Sequence, residues 1–290
     1  MVEGGDSALW ARVFAVIGRT GPREEFLRSF HAEHPAVTGD ALGGGRAPDG
    51  RSSYAILADR VAGRRRILDL GCGDGVLLEL PAAAPGRRLA GVDLSPDSSA
   101  LARRRPALAG TGLAQARAQR LPFSDGAFDA CVSHLALMLM GDAEKVVAET
   151  ARVLVPGGVL ACAVGGGAVG GEAYELFGSL RGAAVRRAPG TQRIPALGGR
   201  RTRSRAGLAG LLAPAGFEPP RRETVEIDLS GPAERVRAAV SGIYDVGPLA
   251  PAAVAALRAD FLTGAQSLAS ADGRVPCGFR VHIATARRAA

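Results

Sequence analysis

Residues 66–75 read Arg-Ile-Leu-Asp-Leu-Gly-Cys-Gly-Asp-Gly, a short apolar run that passes straight into a glycine-rich turn, with helix-forming sequence behind it. An apolar run of this length fits a strand covered on both faces. The glycines let the turn take backbone conformations that a side chain forbids and bring the main chain close to a ligand. In a doubly wound sheet such a turn lies at the switch point, where ligands bind. The next apolar run, Leu89-Ala90-Gly91-Val92-Asp93, ends in a second carboxylate, placed to accept hydrogen bonds from ribose hydroxyls. Together the two features describe a nucleoside site.

The details of the turn narrow the nucleoside. A dinucleotide fingerprint asks for G-x-G-x-x-G, but Val76 stands where the third glycine belongs. A phosphate-binding P-loop is excluded because no Gly-Lys-Ser/Thr follows. Asp69, two residues before Gly71, is a poor neighbour for a pyrophosphate and a good one for an ammonium group. The carboxylate suits the cationic aminocarboxypropyl sulfonium of S-adenosyl-L-methionine.

The rest of the chain supports a sheet-and-helix architecture. Strands are predicted over 66–70, 88–93, 112–117, 128–133 and 159–164, and helices over 52–63, 75–82, 97–105 and 142–154. This alternation predicts a parallel α/β sheet with right-handed crossovers. Pro156-Gly157-Gly158 is read as the turn into the fifth strand, and the alternating segments Thr224 to Leu229 and Phe279 to Thr285 as two late strands. Helical patches lie over 233–243 and 251–269. Ahead of the first strand, residues 7–30 have helical spacing broken at Gly21-Pro22, and His34 to Arg51 reads as a loop. The organisation predicted is an N-terminal helical lid and loop over 1–50, then one domain over 51–290 with cap insertions near 166–200 and 231–277, where recognition loops commonly sit.

Composition sets outer bounds. The 290 residues carry 36 basic against 28 acidic side chains, a net charge of +8, and Lys145 is the only lysine. The arginine bias fits a GC-rich genome and does not by itself indicate nucleic acid. The longest apolar run, Leu135 to Met140, falls far short of the roughly 20 residues of a membrane span, and Glu3, Asp6 and Arg12 argue against a cleaved secretory signal. A cytoplasmic protein without membrane contact is expected. Cys72, Cys131, Cys162 and Cys277 form no CxxC pair, so no metal site or disulfide framework is indicated.

Four segments in order, ILDLGCGDG (67–75), GVDLS (91–95), RLPFSDGAFDACVS (120–133) and ARVLVPGG (151–158), make residues 52–165 resemble class I S-adenosylmethionine-dependent methyltransferases. The likeness is strongest to the ubiquinone/menaquinone-biosynthesis and small-molecule subgroup. It extends weakly to LAGLLAPAGFE (208–218). The resemblance implies an α/β doubly wound sheet of seven strands in the order 3-2-1-4-5-7-6, with strand seven antiparallel, and S-adenosyl-L-methionine as cofactor.

It also implies roles. Asp69 and the backbone of Gly71, Cys72 and Gly73 would hold the methionine end, and Asp93 the ribose hydroxyls. Leu94 would pack on adenine, Gln119 to Leu121 would border it, and Ser133 would lie near the methionine moiety. Tyr54 is placed either to reach the methionine carboxylate or simply to pack. Where the related pattern often has an adenine-binding Asp, this chain has Arg117, which cannot accept a hydrogen bond. That leaves adenine to backbone groups and Gln119, or Arg117 to stack on the base or swing away.

His134, directly after the fourth strand, is the candidate catalytic base, with a positioning or purely structural histidine as the alternatives; His31 and His34 are outer candidates. The function expected is methyl transfer to oxygen or nitrogen of a small, largely apolar molecule, plausibly in secondary metabolism, with the apolar LALMLM stretch (135–140) at the active face. Two alternatives stand beside it. One is an RNA methyltransferase using the arginines of 181–205, against which the absence of interleaved aromatics counts; the other is a non-catalytic S-adenosylmethionine-binding protein.

Overall fold

Alternate residues of a strand point to opposite faces of its sheet, and the central strands here supply apolar side chains to both. Ile67, Ala130, Val132, Ala161 and Ala163 join one buried cluster, while Leu68, Leu70, Cys131, Leu160 and Cys162 join another on the opposite face. The computed structural model describes residues 21–188, 199–241 and 249–290, so the predicted helix over 7–20 lies outside the described residues.

The sheet has seven strands, β1 (Arg66–Leu70), β2 (Arg88–Asp93), β3 (Gly112–Gln115), β4 (Phe128–His134), β5 (Leu154–Val169), β6 (Arg221–Asp228) and β7 (Gly278–Arg287). Their order is β3-β2-β1-β4-β5-β7-β6. The first five are parallel and β7 runs antiparallel to both β5 and β6, as the resemblance implied. Because β1 lies between β2 and β4, the chain leaves it in opposite directions across the sheet. The carboxyl ends of β1 and β4 therefore open onto a crevice at the switch point. Asp69 sits in that register, opposite Gly91 on one side and Val132 on the other.

Around the sheet run α1 (Pro22–Glu33), α2 (Val37–Leu42), α3 (Ser53–Asp59), α4 (Val76–Ala82), α5 (Pro96–Arg103), α6 (Ala143–Val153), α7 (Glu172–Arg187), α8 (Arg200–Arg203), α9 (Arg205–Leu212), α10 (Ala233–Val240) and α11 (Pro251–Ala265). Helix α3 starts where the Ser52 side chain accepts from the Ala55 N–H at 3.1 Å, the usual N-cap role of serine. Its Ile56 and Leu57 are fully buried against the sheet, each contributing about 1.5–3 kcal/mol.

Two expectations change. The loop predicted over 34–51 contains α2, whose Ala41 and Leu42 are buried; packing against α10 overrides the glycine-rich local sequence. Pro156-Gly157-Gly158 does not precede β5 but bulges within it: Leu154 already pairs with Phe128, and Val159 pairs with Ala130 only two residues along β4. Helices α7 and α11, from the two predicted insertions, pack on each other through an edge-on Phe177–Phe261 contact with centroids 6.1 Å apart.

Candidate active site

Two adjoining clefts open at the carboxyl ends of β1, β2 and β4. Both are walled by His31, Gly71, Asp93, Ala136 and Leu139, so one elongated ligand can span them. The first adds Leu94, Arg117, Ala118, Gln119, Met140 and Gly141, with Glu24 and Leu27 from α1. The second adds Tyr54, Asp69, Cys72, Gly73, Asp74 and His134.

The glycine turn is shaped by close approach. Gly71 has φ +78°, and a Cβ built on it would lie 2.4 Å from the Ala136 side chain. Gly73 has φ +52° and nothing within 4 Å of such a Cβ, so its bare face stays open. The Gly73 N–H donates to Asp93 Oδ2 and the Ser95 N–H to Oδ1, both at 2.8 Å. These bonds fix the Asp93 carboxylate at the junction of the clefts and leave each oxygen a further lone pair.

Asp69 stands apart from the other acids. It is 1% exposed, and neither carboxylate oxygen has a hydrogen-bond partner. Burial pushes its carboxyl well above the usual carboxylate range, and Asp93 and Asp74 push the same way. Asp74, by contrast, is paired with Arg105, which also reaches Glu79 at 2.7 Å. A buried polar group without a partner costs roughly 1–3 kcal/mol, more when charged. No donor among the described residues reaches this carboxylate.

The opposite wall is aromatic and buried. The rings of Tyr54 and His134 stack, and the Ser53 hydroxyl bonds His134 Nε2 at 2.9 Å. Burial alone pushes the imidazole down to about 3. It also pushes the Tyr54 phenol and the Cys72 thiol up. His31, brought over both clefts by α1, is lowered by burial against the opposing pull of Asp93. Beyond His134 the chain turns sharply: Leu135 holds φ +55°, a conformation costing on the order of 1–3 kcal/mol in a non-glycine residue. That turn lays Ala136 on Gly71 and puts Leu139 and Met140 of the apolar stretch into the cleft walls.

The site thus gathers Tyr54, Asp69, Gly71, Cys72, Gly73, Asp93, Leu94, Gln119 and His134. Two expected residues lie elsewhere. The fully buried Ser133 donates to the Leu70 carbonyl at 2.8 Å and accepts from the Leu137 N–H at 3.2 Å, so its hydroxyl is spent tying β4 to β1. Leu121 is 4% exposed inside the second core cluster, its N–H bound to Glu149, and borders no cleft. Arg117 is tied to α1 while remaining in the wall of the first cleft: its Nη2 and Nε bind Glu24 Oε1 at 2.8 and 3.1 Å. Ser53 and Glu24 were not foreseen. For Glu24 a signal existed, since Glu24, Leu27 and His31 share one helical face and Arg117 asked for an acid.

Residues 68–162 match the family described as a methyltransferase domain. With the strand order and the glycine turn, this gives the class: residues 68–162 have the sequence and the topology of a class I methyltransferase domain, the S-adenosylmethionine-dependent kind. It is 43% identical over 99 residues to a demethylmenaquinone methyltransferase of Thermus thermophilus, covering 33% of this chain and 45% of that protein. It is also 30% identical over 142 residues to the sterol 4-C-methyltransferase strm-1 of Caenorhabditis elegans, covering 47% of this chain and 41% of that one. The chain therefore spans less than half the length of either relative. Among solved structures, the cyclase SpnF superposes with a TM-score of 0.55 at 22% identity, covering 94% of this chain and 99% of that one. The Haemonchus contortus phosphoethanolamine N-methyltransferase 2 complex with S-adenosylhomocysteine gives 0.55 at 18% identity, covering 94% and 62%. At these identities the likeness is one of fold.

Proposed function

We propose that this chain binds S-adenosyl-L-methionine across the two clefts and transfers its methyl group to an oxygen or nitrogen of a small, largely apolar molecule. The observation that carries the reading is Asp69, a buried carboxylate with no partner beside an open glycine turn. The ammonium end of the cofactor supplies the missing donors there. Gly71 to Gly73 would then lie along the methionine moiety, Asp93 would accept from the ribose hydroxyls, and Leu94, half-buried in the first cleft, would pack on adenine. The cofactor brings a methyl group already activated by the sulfonium charge.

What remains for the protein is alignment and exclusion of water, which can contribute roughly 7–11 kcal/mol through effective molarity. Tyr54 and His134 suit that task as a rigid wall. An imidazole held down to about 3 is a weak proton acceptor near neutrality, and a good general base has a pKa near the working pH. In this reading His134 is a positioning residue, and the acceptor sheds its proton without it. Helix α1 acts as the lid, because Glu24, Leu27 and His31 reach the clefts, whereas no residue of the insertions walls them among the described residues.

Beside the methionine end, Tyr54, His134 and Leu135 present uncharged, largely apolar surface, which favours an apolar acceptor over RNA. Of the outer arginines, Arg186, Arg187, Arg200, Arg203 and Arg205 are exposed, Arg201 pairs with Glu144, and none walls a cleft. The four cysteines are buried free thiols, which suits the reducing cytoplasm; no helix among the described residues is long and apolar enough to cross a membrane.

Calorimetric titration with S-adenosylhomocysteine tests the cofactor, and methyl-labelled S-adenosylmethionine with a panel of apolar phenols, acids and amines tests the transfer. Absence of cofactor binding overturns the reading. Binding with no transfer to the panel, and transfer only to RNA in a salt-dependent manner, would favour the nucleic-acid alternative.

A further inference from the structure

Glu24 keeps one carboxylate oxygen without a hydrogen-bond partner in the wall of the first cleft. Its Oε1 is held three times, by Arg117 Nη2 at 2.8 Å, Arg117 Nε at 3.1 Å and Gln119 Nε2 at 3.4 Å. Gln119 Nε2 is itself anchored on the Gly141 carbonyl at 2.8 Å. The other oxygen, Oε2, is buried and has no hydrogen-bond partner. The residue walls the same cleft as Asp93 and Leu94. Two of the three contacts come from one planar guanidinium, so the carboxylate is oriented and only half-satisfied.

We infer that Glu24 reads the 6-amino group of the cofactor's adenine, an inference that rests on the function proposed above. A carboxylate oxygen accepts hydrogen bonds, so the unpartnered one selects a ligand edge that donates. A 6-aminopurine presents an N–H pair there. A 6-oxopurine would present a carbonyl oxygen, setting lone pairs against lone pairs. Arg117 is then a positioning residue: it holds one oxygen of Glu24 and leaves the other for the base.

Glu24 is not on the sheet that bears Asp69 and Asp93; it comes from α1, together with Leu27 and His31, which border the same cleft, so the base is read by the segment that covers it.

The test compares S-adenosylhomocysteine with its 6-deamino (purine) and 6-oxo (hypoxanthine) analogues by calorimetry. With the intact chain, the 6-deamino analogue is expected to bind about tenfold weaker or more, the loss of one hydrogen bond to a charged group, and the 6-oxo analogue weaker still. In Glu24→Ala, S-adenosylhomocysteine should fall to the level of its 6-deamino analogue, with an unchanged melting profile establishing the fold. Equal binding of all three purines by the intact chain, which requires no variant, overturns the inference, as does a Glu24→Ala protein that keeps the intact chain's ratios. In both of those outcomes S-adenosylhomocysteine still binds and the proposed function stands; no binding by the intact chain removes both.

Discussion

The imidazole of His134 lies on the ring of Tyr54 with centroids 3.8 Å apart and planes inclined by 21°. One ring ends β4 and the other belongs to α3, so the stack joins the sheet to the helix that precedes β1. The Ser53–His134 hydrogen bond, from the residue beside Tyr54, makes the junction two-point. A wall held in this way has little freedom to rotate, which is what in-line attack on a small methyl group requires.

Stability should carry the signature of that burial. The His134 imidazole has an ordinary value of 6.5 and is pushed down to about 3 in the fold. Between those values the unfolded chain binds the proton and the folded one does not. The contribution is therefore complete above 6.5 and is lost as pH falls toward 3, at up to about 1.4 kcal/mol per pH unit. Denaturant titrations from pH 7 to pH 4 should show a steeper loss in the wild-type chain than in His134→Asn. Equal slopes would mean that His134 is protonated in the fold.

Gly71 and Gly73 separate folding from binding. Alanine at Gly71 meets Ala136 at 2.4 Å and a φ of +78°, so Gly71→Ala should lose about 2 kcal/mol or more. Alanine at Gly73 meets only its φ of +52° and open space; Gly73→Ala should lose about 1–2 kcal/mol, yet bind S-adenosylhomocysteine at least about tenfold more weakly, since the methyl occupies the ligand's side of the turn. Thermal melts and calorimetry on both variants check the contrast. Wild-type affinity in Gly73→Ala would place the ligand elsewhere.

The sheet and the acidic ends of β1 and β2 were legible because both are written locally. Apolar runs mark the strands, glycines mark the turn, and Asp69 and Asp93 follow from their places in those runs. The misread residues depend on which way a side chain turns. Ser133 and His134 are neighbours on β4, but alternation sends the Ser133 hydroxyl to the Leu70 carbonyl and His134 to the cleft. Leu121 is two residues from Gln119 and faces the core, its N–H held by Glu149. Glu24 lies 93 residues from Arg117, so the pair could be found only by matching the helical face of Glu24, Leu27 and His31 to the charge of Arg117. The helix α2 was hidden for a related reason, since its stability comes from burial of Ala41 and Leu42 and not from its own glycine-containing sequence.

Ser133→Ala tests the structural assignment. Removing the hydroxyl leaves the Leu70 carbonyl and the Leu137 N–H without that partner in a fully buried place, at a cost of about 1–3 kcal/mol. Because the hydroxyl does not wall either cleft, affinity for S-adenosylhomocysteine should stay within about twofold once the protein is folded. A variant of wild-type stability with weakened binding would return Ser133 to the cofactor.

Asp69 should give the opposite pattern. Its ordinary value is 3.8, and in the ligand-free fold burial, Asp93 and Asp74 hold it well above that. Between the two values the folded chain binds a proton that the unfolded chain does not, so this group makes the free protein more stable as pH falls from its raised value toward 3.8. At neutral pH it works against folding, and Asp69→Asn should melt higher than wild type, by about 1 kcal/mol or more. The same substitution should weaken S-adenosylhomocysteine binding by about tenfold or more, because the amide offers no charge to the ligand's ammonium group. Binding that ammonium favours the ionised carboxyl, so below its raised value the wild-type chain should release a proton on binding. The heat of binding should then vary with the ionisation enthalpy of the buffer, and that variation should shrink in Asp69→Asn. A ligand-free Asp69→Asn protein less stable than wild type would show that the carboxyl already has a structural partner.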